Sequence, residues 1–234
     1  MAGIAARTVV GNLGDALRDA TNEAAASLPN IPADRTYTQG ALVAAAMGPD
    51  LSPVAGARVG VGGGFEGGIM YTGRGARIDL RREFKLGRPW ALSVGLGLDT
   101  AFEGRDTNAL SGVDNANLLG FGADIPVLLG WRSTAGLYYF WVGARIGYEH
   151  DTIQARTEQS PQDQNTEPQL VGDRVAVGGL LGIAIGFKHI HVALELEADY
   201  AYITGSFGGG GQPVVPGSID GVSLTPATAL WWDF

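Results

Sequence analysis

Residues 90–103 read WALSVGLGLDTAFE, and this stretch decides the fold class. Its even positions are Trp90, Leu92, Val94, Leu96, Leu98, Thr100 and Phe102. Its odd positions are Ala91, Ser93, Gly95, Gly97, Asp99, Ala101 and Glu103. Successive side chains of an extended strand point to opposite faces. One face is therefore bulky and apolar, with aromatics at both ends, and the other is small or acidic. The pattern recurs along the chain. Leu119, Phe121, Ile125, Val127, Leu129 and Trp131 oppose Gly120, Gly122, Asp124 and Arg132. Tyr138, Phe140, Val142, Ile146 and Tyr148 oppose Gly143, Arg145, Gly147 and Glu149. Ile190, Val192, Leu194, Leu196, Tyr200 and Tyr202 oppose Glu195, Glu197 and Asp199. Between 175 and 187 large apolar residues alternate with Gly and Ala, and Arg77, Asp79, Arg81 and Glu83 alternate with Ile78, Leu80 and Phe84.

Alternation alone also fits a soluble antiparallel sheet. The distribution of bulk separates the two. A soluble β-barrel that binds an apolar ligand fills its interior with large apolar side chains and turns polar ones to water. Here the bulky face carries an aromatic fringe, as a lipid-facing girth does, and the small, charged face suits a crowded lumen. The soluble barrel stays open as an alternative that requires Leu92, Leu96, Phe140 and Leu194 to point inward. Connections alternate in length. Lys85–Pro89, Ser133–Gly136 and Lys188–His189 are short, whereas 105–118, 151–172 and 205–222 are long and rich in Asn, Asp, Gln, Gly and Pro. Short turns on one side and long loops on the other are the habit of membrane barrels.

The expectation is an all-β fold, a transmembrane antiparallel up-and-down β-barrel of ten strands preceded by a short helix. Val59, Val61, Phe65, Ile69 and Tyr71 keep one parity through Gly62–Gly64. A tight turn at those glycines, with Gln39–Met47 as the first strand, makes ten strands; without both, the count is eight. Glycine density from Gly60 to Gly68 favours ten. Residues 1–35 form an N-terminal helical, periplasmic-side segment whose helix lies on the inner leaflet, plugs the lumen or binds a periplasmic partner, and 36–234 form the barrel. Val9, Val10, Leu13, Ala16, Leu17 and Ala20 recur at helical spacing, predicting a helix near 8–26 that ends before Pro29 and Pro32.

Composition excludes several classes. The chain has 234 residues with 37 Gly, only 17% charged residues, a formal charge of −8 and no Cys. An acidic chain is a poor match for nucleic acid, and no thiolate is present to hold a metal or form a disulfide. The longest apolar run, Val175–Phe187, is too short for a helical span, which takes roughly 20 residues. Met1–Val10 carries no signal-peptide pattern.

The last strand supports the same architecture. Leu230, Trp232 and Phe234 alternate, and the C-terminal aromatic resembles the assembly signal of bacterial outer-membrane barrels. Together with residues 56–61 (GARVGV), 182–187 (GIAIGF) and 193–197 (ALELE), this makes 36–234 resemble the small, porin-like outer-membrane barrels of Gram-negative bacteria. The resemblance implies residence in the bacterial outer membrane, contact with its lipid, and delivery by barrel assembly machinery through the C-terminal strand. It implies no particular activity.

The candidate site is the set of inward charges. The acids are Glu66, Asp79, Glu83, Asp99, Glu103, Asp124, Glu149, Glu195, Glu197, Asp199 and Asp233; the bases are Arg58, Arg77, Arg81, Arg132, Arg145, Arg174 and Lys188. Paired across strands, they form a salt-bridge network that nearly closes a narrow lumen. Read functionally, the acidic excess makes a cation-preferring constriction. No catalytic set stands out, and the expectation is a non-enzyme without cofactor or metal. A hydrolase using His150, within Glu149-His150-Asp151 at the barrel mouth, is the alternative. His189 and His191 flank a tight turn, too few imidazoles to define a metal site. Gly62–Gly64 and Gly208–Gly211 lack the Lys and strand–loop–helix context of a phosphate loop.

Overall fold

The computed structural model describes residues 1–27, 34–102, 117–154, 169–187, 189–209 and 212–232. The chain opens with two short strands, β1 (Ala2–Ala6) and β2 (Thr8–Val10), then two helices, α1 (Asn12–Ser27) and α2 (Arg35–Met47). Nine strands follow: β3 (Leu51–Gly62), β4 (Phe65–Tyr71), β5 (Ala76–Gly87), β6 (Trp90–Ala101), β7 (Asn117–Arg132), β8 (Tyr138–Gln154), β9 (Gln169–Phe187), β10 (Ile190–Gly209) and β11 (Gln212–Trp232). Each of β3 to β11 pairs antiparallel with its sequence neighbour. β1 pairs with both β3 and β11, and β2 continues the ladder on β11, so the sheet closes as a ring of ten strand positions.

The register shows how the ring closes. Ala55 is linked through Ala2 to Leu230. The next residue, Gly56, leads through Met70, Arg77, Asp99, Gly122, Glu149, Arg174 and Ile203 to Ile219. One circuit thus shifts by twelve residues along β11, from 231 to 219. For ten strands ~4.8 Å apart, rising ~3.3 Å per residue, that stagger tilts the strands by about 40°. The glycine turn is present: Gly62, Gly63 and Gly64 all have positive φ (93°, 62° and 78°), a backbone that other residues adopt only with strain.

Three expectations change. Gln39–Met47 is not a strand but most of α2. The run is Ala-rich, and Asp34 caps it by accepting a hydrogen bond from the Tyr37 N–H at 2.9 Å. The tenth strand position is instead filled by β1 and β2, so residues 2–10, expected in the N-terminal segment, lie in the sheet. The helix expected from residue 8 starts at Asn12, because Val9 and Val10 are in β2. Third, 205–222 is no long loop: β10 runs to Gly209 and β11 starts at Gln212. β8 likewise extends to Gln154 and β9 begins at Gln169. Phe234, Glu103, Lys188, Asp233, Pro29 and Pro32 lie outside the described residues.

The strands have unequal lengths, from three residues in β2 to twenty-one in β11. The long ones, β8 to β11, carry the helices on their inner face. Ten of the thirteen residues of α2 are buried, between α1 and the wall. Close approach needs small residues on both sides. A Cβ on Gly40 would sit 2.2 Å from the Ala20 Cβ of α1, and Cβ atoms on Gly172 or Gly205 would meet a Leu42 methyl at 2.8 and 2.7 Å. Leu118, Ile153, Leu170, Ile203 and Phe207 complete an apolar core with α2, and Tyr37 stacks edge-on against Phe207 at 5.4 Å.

Candidate functional site in the lumen

The exterior decides which solvent the barrel meets. Leu96, Leu98, Ile146, Val177, Leu181, Ile183, Ile185, Val192 and Leu194 are each at least 43% exposed, and they ring the barrel. Phe65, Phe84, Trp90, Tyr138, Phe140, Phe187 and Trp232 fringe this surface at the short-turn end; Phe102, Phe121, Tyr148, Tyr200 and Tyr202 fringe it towards the other. On β10 the belt runs from Ile190 to Tyr202, about 30 Å along the axis at the tilt above, matching an apolar band of ~25 Å plus its girdles. Such a surface in water would far exceed the largest patches of soluble monomers. The chain is a transmembrane β-barrel. Leu96 and Leu194 are more than half exposed and Phe140 faces the same way, so the soluble alternative fails its own condition. Above the belt the outer face turns polar, with His150, Asp173, Thr204 and Ser218 on successive rungs. Arg82, on the outer face near the short turns, lies over Phe65 and Phe84 at 5.0 and 4.9 Å and reaches the interface along their rings.

Inside, the strands bring most of the expected charges together. Arg58 on β3 binds Glu66 on β4 and Asp79 on β5. Arg77 lies 3.5 Å from Asp79 and binds Asp124 of β7, and Arg81 lies 3.6 Å from Asp79. Across the lumen Arg145 of β8 binds Glu197 and lies 3.5 Å from Asp199, both on β10. Arg174 binds Glu149 at 2.5 Å. Asp99 faces inward between these groups, whereas Glu83 is exposed near the short turns. The charges line this half of the bore rather than fill it. They surround a cavity of about 1100 Å³ that reaches from Met47 and Arg74 down to Trp231.

The sequence reading missed the residues at the upper end of the cavity. α2 points its C-terminal end into the lumen, where its last carbonyl groups lack helical partners. Arg7 donates to the Met47 carbonyl at 3.0 Å and Arg74 donates to that of Ala46. Arg74 in turn lies 2.8 Å from Glu149 and 2.9 Å from Asp151. Two guanidinium groups thus neutralise the negative helix end and tie it to a buried carboxylate pair on β8. Arg7 sits between β1 and β2, and Arg74 in the turn after β4, places where no alternation marks a direction.

Glu149-His150-Asp151 does not act as a unit. Glu149 and Asp151 point inward, and His150 points out. His150 instead meets Asp173 of β9 at 2.9 Å, which also accepts from the Tyr148 hydroxyl at 2.5 Å. His189 is exposed in its turn, while His191 is fully buried inside, against Tyr139 at 5.1 Å and Trp231 at 5.3 Å. Among the described residues no cluster of three metal-ligating side chains occurs.

No family model matches the chain, and no curated protein does. Solved structures that resemble it are bacterial outer-membrane proteins. A major outer membrane protein from Thermus thermophilus aligns at 13% identity and a TM-score of 0.39, over 76% of this chain and 98% of that one. The NanC porin aligns at 9% identity and a TM-score of 0.34, over 79% and 93%. An anion-selective porin from Comamonas acidovorans aligns at 14% identity and a TM-score of 0.24, over 81% and 64%.

Proposed function

We propose that this barrel is an outer-membrane protein of structural or narrow porin-like type, closed towards its long-loop end by the α1–α2 hairpin. The supporting observation is the clasp of Arg7 and Arg74 on the last carbonyls of α2, with Glu149 and Asp151 behind it. The short turns and both ends of the sheet, Ala2 and Leu230, lie together and face the periplasm in this reading. The cavity is then a charged, water-filled vestibule entered from the periplasmic side. Leu230 and Trp232 face lipid at the close of the barrel, in position for the assembly role their resemblance implies. α1 and α2 serve as the plug rather than as a separate periplasmic unit.

Single-channel recording in planar bilayers tests this. The unmodified protein should give no steps, or steps far below those of an open barrel of this size. A large, steady current from the unmodified chain overturns the closed lumen.

A further inference from the structure

The cavity carries a feature that closure does not explain. Near the short turns its wall is aromatic, from Tyr139 and Trp141 on β8 and Trp231 on β11. Trp231 lies 5.7 Å from Tyr139 and 6.2 Å from Trp141. Trp141 lies where any Cβ on Gly182 would be, 2.2 Å from its ring atoms. Only a glycine lets the indole lie against the β9 wall. Its Nε1 donates to Glu195 Oε2 at 2.6 Å, which fixes the ring and holds the carboxylate beside it. Tyr139 already has the Arg132 guanidinium over its ring at 5.3 Å, so this wall accepts cations.

We propose that this end of the cavity is a binding pocket for an organic cation, held between the Trp141 and Trp231 rings and the Glu195 carboxylate. The charge pattern selects the sign. Arg58, Arg77 and Arg145, three of the guanidinium groups lining the cavity, are each engaged by two carboxylates, and Arg132 lies over the Tyr139 ring. Glu195, by contrast, is bonded by a neutral indole N–H and lines the cavity with its carboxylate. Glu197 and Asp199 follow it on the same face of β10, and both share Arg145. Aromatic faces beside a carboxylate favour a weakly hydrated ammonium over a small metal ion, which would have to shed its water. The pocket has room for a ring or alkyl body besides the charged group. The inference rests on the closed upper end proposed above, because a blind cavity retains a ligand that a pore would pass.

Isothermal titration calorimetry on the full chain, folded in detergent, tests it with benzyltrimethylammonium chloride as the probe. Saturable binding at one site is expected. Trp141→Leu should weaken it at least tenfold and Glu195→Gln at least fivefold, while Trp141→Phe, which keeps a ring, loses less. Each variant is checked by its heat-dependent gel mobility, so a misfolded barrel is recognised. Sodium benzenesulfonate, the same ring with the opposite charge, should not bind, and benzyl alcohol should bind at least tenfold more weakly. Equal or tighter binding of the sulfonate overturns the proposal. So does the absence of saturable heat, or binding unchanged in both Trp141→Leu and Glu195→Gln. A large bilayer current with intact calorimetric binding would sink the closed lumen and leave the cation site standing.

Discussion

The upper and lower halves of the lumen are built from the same strands but hold opposite chemistry. β10 shows the change on one face. Going up, it presents Glu195, Glu197 and Asp199, then Ala201, Ile203 and Phe207. The lower residues face water and guanidinium groups, and the upper ones face α2. Neither half could take the other's filling. An apolar helix over the carboxylates would bury charge at a cost of several kcal/mol per ion. Water against Ile203 and Phe207 would forfeit about 1.5–3 kcal/mol for each large side chain left uncovered. The place where the inward face changes character is therefore the place where the helices end. Arg7, Arg74, Glu149 and Asp151 sit at that boundary, where the helix end needs positive charge and the arginines need negative charge.

Removing the upper filling should have the largest effect. The Arg7 N–H already donates to the Asp50 carbonyl at 2.7 Å, so the ends of the excised hairpin lie close together. Replacing residues 11–47 by a short Gly/Ser linker should open the lumen and give steady current steps in planar bilayers. In that background Arg77→Ser with Arg81→Ser should raise cation preference, because Asp124 loses its guanidinium partner and Asp79 keeps only Arg58. Silence from the deletion variant, if its gel mobility shows a folded barrel, would mean that the lower half closes the bore without the plug.

The sequence makes the wall legible and hides the plug, for reasons that lie in particular residues. Strands such as 90–101 and 190–202 carry six or more alternations, and lipid on one side enforces them. The run from Gly40 to Met47 is apolar throughout, so it fits a period of two as readily as a helical one. Its alanines and the Asp34 cap favour the helix. β1 and β2 are five and three residues long, too short for either period to register. The extension of β10 and β11 beyond the membrane is hidden by Gly, Pro and Ser, which lipid-facing strands rarely combine. One signal did point to the plug. Ile203 and Phe207 continue the inward parity of Glu195 to Asp199, and an apolar residue on the luminal face needs a cover. Of the luminal set, Arg77, Asp79, Arg81, Asp124, Arg145, Glu197 and Asp199 were readable by parity and are paired as charges of opposite sign. Arg7 and Arg74 were not, because they lie outside regular alternation.

Two truncations compare the halves at their boundary. Arg74→Met strips the helix end of a donor and leaves Glu149 and Asp151, both nearly inaccessible, short of positive charge. The expected cost is about 3–5 kcal/mol, read as a lower midpoint in denaturant. Leu42→Ala removes the methyl groups that fill the space over Gly172 and Gly205. Its expected cost is about 2–5 kcal/mol, confined to the hairpin. Hydrogen exchange should therefore speed up in α1 and α2 for Leu42→Ala, with β7 to β10 unchanged. Equal acceleration in the strands would mean that plug and wall unfold as one unit.

The smallest expected effect concerns the hairpin's own joint. Glu23 near the end of α1 meets Asp34, the cap of α2, and a hydrogen bond between the two carboxyl groups, aided by desolvation, pushes Glu23 up to about 7. Asp34 keeps the charge: against its own desolvation, bonds from Glu23 and from the Tyr37 and Thr36 N–H groups hold it below the usual carboxylate range. A folded value above the unfolded one means that stability is fully present below the unfolded value, the ordinary 4.5, and is lost as pH rises through about 7. Below that window a protonated Glu23 donates to Asp34; above it two anions face each other. Hydrogen exchange in α1, corrected for its intrinsic pH dependence, should thus show less protection at pH 8 than at pH 5. Glu23→Gln keeps a donor for Asp34 at every pH and should flatten that profile, leaving the barrel's gel mobility as it was. A profile equally steep in the variant would place the titrating group elsewhere in the hairpin.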